Sequence, residues 1–273
     1  MTVQAPASAI PVVDDQLYVL GGTVEPQGRI SWIAPDAHGY AALNAFVLTE
    51  GTKGIMIDTG LPILSDAIVD QLQGLGFDRL SILMTRPVEF DSMGNSEVII
   101  KHFDVDRVYS ELMFPPQDWV AFRDEEPMPS FEPVVYKKGS ELEFGSRRLS
   151  LIDARLKLLA CVWVFDHATK TLFTSDSFSH VIAPEPGVQI VTSDTDTTTQ
   201  DQVMSHFLTK FDWMAGAYTG PLRRFCDEVF DIFDVENIAP TIGCVLQGRE
   251  LVQRHRHMVD EALRQLAEME NIA

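Results

Sequence analysis

The chain has 273 residues, 45% of them hydrophobic, and carries 40 Asp plus Glu against 21 Lys plus Arg, a formal charge of −19. That length and apolar share allow a sizeable core and exclude disorder by composition. The acidity argues against nucleic-acid binding driven by phosphate neutralisation and against a polybasic membrane anchor.

Three cysteines (Cys161, Cys226, Cys244) are too few and too scattered for a disulfide framework or a Cys-rich zinc site. A reducing compartment follows as the expectation. The opening MTVQAPASAIPVVDD has no basic segment and no long apolar core, so it does not read as a secretory signal. No apolar stretch reaches the ~20 residues that span a bilayer. The expected location is the cytoplasm.

In chain order, Gln16–Leu20 reads as a strand and Gly21-Gly22 as a turn. Ala45–Leu48, the polar turn Thr49–Gly54 and Gly54–Ile57 read as a hairpin, which ends in Asp58-Thr59-Gly60. The period then changes. Ser65 is the predicted N-cap of a helix that buries Ile68, Leu72 and Leu75 and stops at Gly76. Leu80–Met84 is a buried-strand pattern, Thr85–Asn95 is polar, Glu97–Phe103 is helical and Arg107–Ser110 is a strand. Residues 113–133, rich in Pro and acids, form a predicted irregular excursion. Four strands follow at Glu141–Phe144, Arg148–Ile152, Val162–Phe165 and Thr171–Thr174. The Thr- and Asp-rich run Val191–Gln202 reads as a loop, and helices are expected over Gln202–Phe211 and Leu222–Phe233. Ile238–Ala239 is a short strand, and a C-terminal helix over about 248–270 aligns Val252, Val259, Leu263 and Leu266 on one face. Two sets of strands, each followed by helices, fit one α/β (α+β) domain over 1–273, with two sheets covered by helices, better than regular βαβ alternation.

Five signposts in order carry a family resemblance. They are Asn44–Leu48, Ile57–Gly60, Pro87–Asn95 (PVEFDSMGN), Leu172–Phe178 (LFTSDSF) and Ile238–Gly243 (IAPTIG). Together they resemble the metallo-β-lactamase superfamily, closest to its flavodiiron and oxygen-binding diiron branch. The resemblance spans roughly residues 44–248. It implies a four-layer αββα sandwich with a dinuclear metal site at one edge between the sheets, and a homodimer as in many relatives.

The resemblance also shows what the metal site has lost. The family's histidine positions fall on Pro87, Ser92, Lys157 (or Arg155, if the alignment slips) and Ile242. The carboxylates Glu89, Asp91 and Asp176 remain as remnant ligands. Proline and isoleucine offer no ligand atom, and a lysine binds metal poorly unless neutral. Three carboxylates sharing a site need compensating charge, which Lys157, with Arg86 or Arg155 nearby, can supply in place of metal. The expectation is therefore no cofactor, with Fe, Mn or Zn at the remnant site as the alternative. Asp58 reads as a brace for its turn.

The histidines are the candidates for replacement ligands. His38, before the Asn44 strand, and His180, four residues after Asp176, sit in loops expected to border the pocket. His255 and His257, among Arg254 and Arg256, read as a solvated helix face. Phe90 and Phe178 are expected to flank the pocket. There is no phosphate-binding glycine loop and no Gly-x-Ser-x-Gly elbow. The leading reading is a degenerate-site protein that binds, senses or docks a small-molecule ligand or protein partner. The alternatives are a hydrolase or diiron oxidoreductase with a non-standard ligand set, and a structural subunit.

Overall fold

The computed structural model describes residues 3–26, 33–35, 37–111, 129–155 and 161–269. Lys157 and most of the 113–133 excursion lie outside the described residues.

The first sheet is built from β1 (Val3–Gln4), β2 (Ile10–Val13), β3 (Leu17–Val24), β4 (Ala41–Glu50), β5 (Lys53–Ile57), β6 (Arg79–Leu83), β7 (Val105–Ser110) and β8 (Glu132–Val135). Its order is β1-β3-β4-β5-β6-β7-β8, with β2 pairing β3 off this path. The connections contain α1 (Ser65–Leu75), α2 (Phe90–Met93) and α3 (Ser96–His102). The second sheet holds β9 (Glu141–Phe144), β10 (Arg147–Asp153), β11 (Val162–Asp166), β12 (Thr171–Ser175), β13 (Ile190–Val191), β14 (Asn237–Pro240) and β15 (Val245–Gln247), in the order β13-β15-β14-β12-β11-β10-β9. Its helices are α4 (Gln200–Lys210), α5 (Gly220–Ile232) and α6 (Arg249–Glu268). Both sheets mix parallel and antiparallel pairs: β5–β8, β12/β14 and β13/β15 pair in parallel across long connections, and the remaining neighbours pair antiparallel.

The pleat sorts the side chains into layers. On β4, Ala45 and Val47 face α1 and α3 with Ile68, Leu72 and Ile99, whereas Phe46 and Leu48 face the other sheet. On β11, Val162 and Val164 face the first sheet, and Trp163 and Phe165 pack under α4, α5 and α6. Phe46 and Phe173 meet edge to face across the inter-sheet layer, with ring centroids 5.3 Å apart. The result is a helix–sheet–sheet–helix sandwich, the architecture expected from the sequence.

Several local expectations need correction. Gly21-Gly22 is not a turn but lies inside β3, where a Cβ on Gly21 would sit 2.2 Å from the Leu43 carbonyl oxygen. Gly21 also has φ +102°, which glycine alone adopts freely. Ser65 does not cap α1; its hydroxyl donates back to the Pro62 carbonyl oxygen at 2.8 Å, across a preceding 3₁₀ turn. Helix α4 starts two residues before the predicted Gln202, because Thr199 and Gln202 form a reciprocal capping box. His255 is fully buried rather than on a solvated face.

Two buried polar groups lock the sheets together. Arg147 on β10 pairs with Asp166 at 2.9 Å and donates to the carbonyl oxygens of Thr49 and Gln16 from the first sheet. At the opposite edge the Asn44 amide donates to the carbonyl oxygens of Pro240 and Gly243, each at 2.8 Å. That second staple fixes Thr241 and Ile242 against β4, and so sets one wall of the cleft described next.

Candidate functional site

The cleft lies where the ends of β5, β6, β12 and β14 converge. Asp58 closes β5 in the left-handed region (φ +60°) and is fully buried. It accepts hydrogen bonds from the Thr85 backbone N–H and hydroxyl, both at 2.7 Å, and from the Ser92 hydroxyl. This brace pins the segment after β6 to α2. It thereby places Arg86 and Asp91, the sequence neighbours of Thr85 and Ser92. Burial pushes the Asp58 carboxyl up to about 6, against those donors.

Arg86 is 5% exposed and spans two carboxylates. One Nη contacts Asp91 at 2.5 Å and the other contacts Asp176 at 2.6 Å. Lys210, from the last turn of α4, reaches Asp176 at 3.2 Å and donates to the Asp176 carbonyl oxygen at 2.6 Å and the Ser179 hydroxyl at 3.1 Å. Thr241 donates to Asp91 at 2.8 Å. Burial opposes the charged form of Asp176, but the Lys210 ammonium and the Arg86 guanidinium outweigh it and hold the carboxyl below its ordinary value. Burial likewise opposes the Arg86 charge, and Asp91 and Asp176 hold it firmly protonated. Burial and the charge of Asp176 push the Cys161 thiol up to about 12, so it is no nucleophile.

A cavity of about 240 Å³ opens beside these ion pairs, walled by Leu61, Phe90 and Ile242, with Glu89 half-buried at its side. Glu89 has no ion-pair partner among the described residues, although it lines the same cavity as Asp91 and Asp176. The structure thus brings together Arg86, Glu89, Asp91, Asp176 and Ile242, with Ser92 one layer below, bonded to Asp58. Among the described residues it does not bring Arg155, His38, His180 or Phe178 there. Arg155 borders a separate cavity with Trp213 and Tyr218. His38 and His180 border another, with His206, under α4. Phe178 is buried against Trp163. Lys210 carried no signal in the sequence, because a lysine in a helix's last turn is ordinary and only the fold lays it over Asp176.

No family model and no curated protein sequence matches the chain. Solved structures do match. The rubredoxin:oxygen oxidoreductase of the anaerobe Desulfovibrio gigas superposes with a TM-score of 0.65 at 17% identity, over 96% of this chain and 61% of that one. A flavoprotein of Thermotoga maritima gives 0.65 at 15% identity over 98% and 62%. The flavodiiron protein of Giardia intestinalis gives 0.62 at 13% over 98% and 60%. The chain has the fold of the metallo-β-lactamase-like domain of flavodiiron proteins. It spans about three-fifths of the length of these three chains. At such identities the likeness extends to the fold and no further.

The residues present do not fit a pair of metal ions. Pro87 and Ile242 offer no ligand atom, the Ser92 hydroxyl is committed to Asp58, and a guanidinium stands between Asp91 and Asp176. Among the described residues, no group of three or more His, Cys, Asp or Glu side chains is placed to hold a metal.

The titrating groups predict acid sensitivity. Burial pushes His206 down to about 3, and burial with the neighbouring His255 holds His180 well below its ordinary value. Unfolding therefore releases two imidazoles that bind protons below about pH 6.5. Asp58 works the other way, since only the folded state protonates it near pH 6. Two protons against one leave a net uptake of about one on unfolding between about pH 6 and pH 4. Stability is expected to be highest above pH 6.5 and to fall by about 1.4 kcal/mol per pH unit below pH 6. Urea midpoints at pH 7.5, 6.0 and 5.0 check this; a midpoint that holds or rises on acidification contradicts it.

Proposed function

We propose that this chain is a metal-independent, non-hydrolytic variant of its fold, a binding protein in which an Arg–Lys pair replaces the positive charge of a dinuclear centre. The observation that carries the reading is the Arg86 bridge between Asp91 and Asp176. A guanidinium with both amino groups engaged supplies the compensation that two buried carboxylates require. It also fills the space that a bridging ion would need.

The cleft remains open beside the bridge, and its chemistry limits what it accepts. Lys210 uses its donors on Asp176 and Ser179, and Arg86 uses both amino groups on carboxylates. These two cations already face two carboxylates, so an anion would find no excess positive charge there; the Arg86 Nε–H is buried and without a hydrogen-bond partner among the described residues. Among the described residues, the cleft charge without an ion-pair partner is the Glu89 carboxylate, beside the apolar Phe90 and Leu61. The reading therefore favours a small molecule, or a segment of a protein partner, with an apolar body and a neutral or positive head. A cytoplasmic homodimer, the expectation from the sequence, is the proposed working form. Elemental analysis of protein purified without chelator or metal-affinity tag tests the reading. Well under one equivalent of iron, manganese or zinc is expected. About two equivalents would overturn it and favour a hydrolase or oxygen-handling enzyme.

A further inference from the structure

The cavity beside Arg155, of about 450 Å³, opens between the end of β10 and the connection from α4 to α5. Small-molecule sites are roughly 300–1,000 Å³. Among its lining residues Met214 is buried and Leu222 half-buried, which gives it an apolar base. Two aromatic rings also line it and stand in water, Trp213 at 49% exposed and Tyr218 at 79%.

The backbone that carries these rings is fixed. Gly216 N–H donates to the Leu266 carbonyl oxygen at 2.8 Å, and the Thr219 hydroxyl donates to that of Leu263 at 2.7 Å. Both bonds tie the connection to α6. Ala217 N–H closes a turn on the Met214 carbonyl oxygen at 2.9 Å. The Tyr218 ring rests on Gly220, where a Cβ would lie 3.1 Å from it. Two exposed aromatic side chains on a fixed backbone form a ready stacking surface, and apolar area left in water favours whatever covers it.

Charge enters from β10. Ala154 turns inward at 3% exposed, so Asp153 and Arg155 on either side of it share the outer face, and both line the cavity. Their circumstances differ. Asp153 has the Lys138 ammonium at 3.7 Å. The Arg155 guanidinium lies over the Phe225 ring, 5.8 Å from its centroid, a contact that involves no carboxylate. Arg155 has no ion-pair partner among the described residues, and residues 156–160 (LKLLA) add no acid beside it in sequence. A guanidinium held against an aromatic ring still has N–H donors for a carboxylate. One guanidinium balances one negative charge; with Asp153 on the same cavity, a phosphate dianion would leave negative charge in excess.

We propose that this cavity binds a small aromatic carboxylate, its ring against Trp213 and Tyr218 and its carboxylate on Arg155. The site is separate from the Arg86 cleft, and neither reading requires the other.

Calorimetric titration of the full chain at pH 7.5 tests this. The probes are 3-phenylpropanoate and indole-3-acetate, with 3-phenylpropan-1-ol and 3-phenylpropylamine as the neutral and cationic counterparts of the first. At least one carboxylate is expected to bind saturably, about tenfold or more tighter than the alcohol or the amine, the contribution of one charge-assisted pair. Arg155→Gln is expected to bring that carboxylate down to the alcohol's affinity and to leave the alcohol's unchanged. Trp213→Ala is expected to weaken carboxylate and alcohol alike. Both side chains are exposed, so both variants should keep the parent's urea midpoint, which checks their folding. The proposal is overturned if neither carboxylate binds saturably, or if the amine or phenyl phosphate binds more tightly than the carboxylates. It is equally overturned if Arg155→Gln leaves the carboxylate affinity unchanged, which would put the ligand elsewhere on the chain.

Discussion

Arg86→Met is expected to destabilise the protein by about 3–5 kcal/mol, the cost of breaking a buried ion pair from one side. The methionine fills much of the arginine's volume, so little of that loss comes from a cavity. It comes from charge. Asp91 would keep only the Thr241 hydroxyl, and Asp176 would keep Lys210. Arg86→Lys is expected to fall between, because a single ammonium cannot hold Asp91 and Asp176 through two separate amino groups as the guanidinium does. Adding Asp91→Asn to Arg86→Met should recover part of the loss, since it removes the more deeply buried carboxylate, the one left without a cation. Urea unfolding at pH 7.5 measures all three. A loss below about 1 kcal/mol for Arg86→Met would mean that the bridge carries little of the cleft's stability, and would remove the main support for charge substitution.

On the proposed reading, this balance lets the fold keep its buried carboxylates with protein cations in place of metal ions. The segments that deliver Asp91, in α2, and Asp176, after β12, are fixed by backbone bonds, the Asp58 brace and the Asn44 staple, not by the groups the carboxylates bind. A carboxylate set delivered in this way needs positive charge but not a particular source of it. Arg86 comes from the same turn as Asp91, and Lys210 from the helix that covers Asp176. The proposed replacement of metal charge therefore needs no change in topology.

The parts of this molecule that follow a period were legible in the sequence. The continuous apolar runs Ala45–Leu48 and Val162–Phe165 mark strands covered on both faces, and the structure has strands there, buried throughout. Asp91, Asp176 and Arg86 were named because they sit in or beside strand-end motifs. Lys210 was not, because it meets its partner only through tertiary packing. His255 left a trace that its neighbours obscured. It falls on the stripe of Val252, Val259, Leu263 and Leu266 at helical spacing, whereas Arg254 and Arg256 on either side suggested a wet face. His180 was expected at the cleft by its closeness to Asp176 in sequence, but the turn through Phe178, itself in the left-handed region, carries it to the opposite side of α4's end.

Asp58 offers the sharpest separation of charge from shape. Asp58→Ala is expected to cost about 3 kcal/mol or more, since it leaves the Thr85 N–H and two buried hydroxyls without their acceptor. It also forces alanine into a left-handed conformation, which costs about 1 kcal/mol. Asp58→Asn is expected to stay within about 1 kcal/mol of the parent at pH 7.5, because asparagine tolerates that conformation and its carbonyl oxygen can still accept from Thr85 N–H and Ser92. Its amide can donate to the Thr85 hydroxyl once that hydroxyl turns. Both variants also differ from the parent in acid. The parent's folded state gains a proton on Asp58 near pH 6 that the unfolded chain does not take up until near pH 4, and this offsets part of the cost of protonating His180 and His206 on unfolding. Without it, about two protons are taken up on unfolding, and the loss of stability below pH 6 should steepen to about 3 kcal/mol per pH unit. Urea titrations of both variants at pH 7.5, 6.0 and 5.0 read these effects together. Equal losses at pH 7.5 for alanine and asparagine would show that the carboxylate charge, and not the bracing geometry, is what holds Arg86 and Asp91 at the cleft.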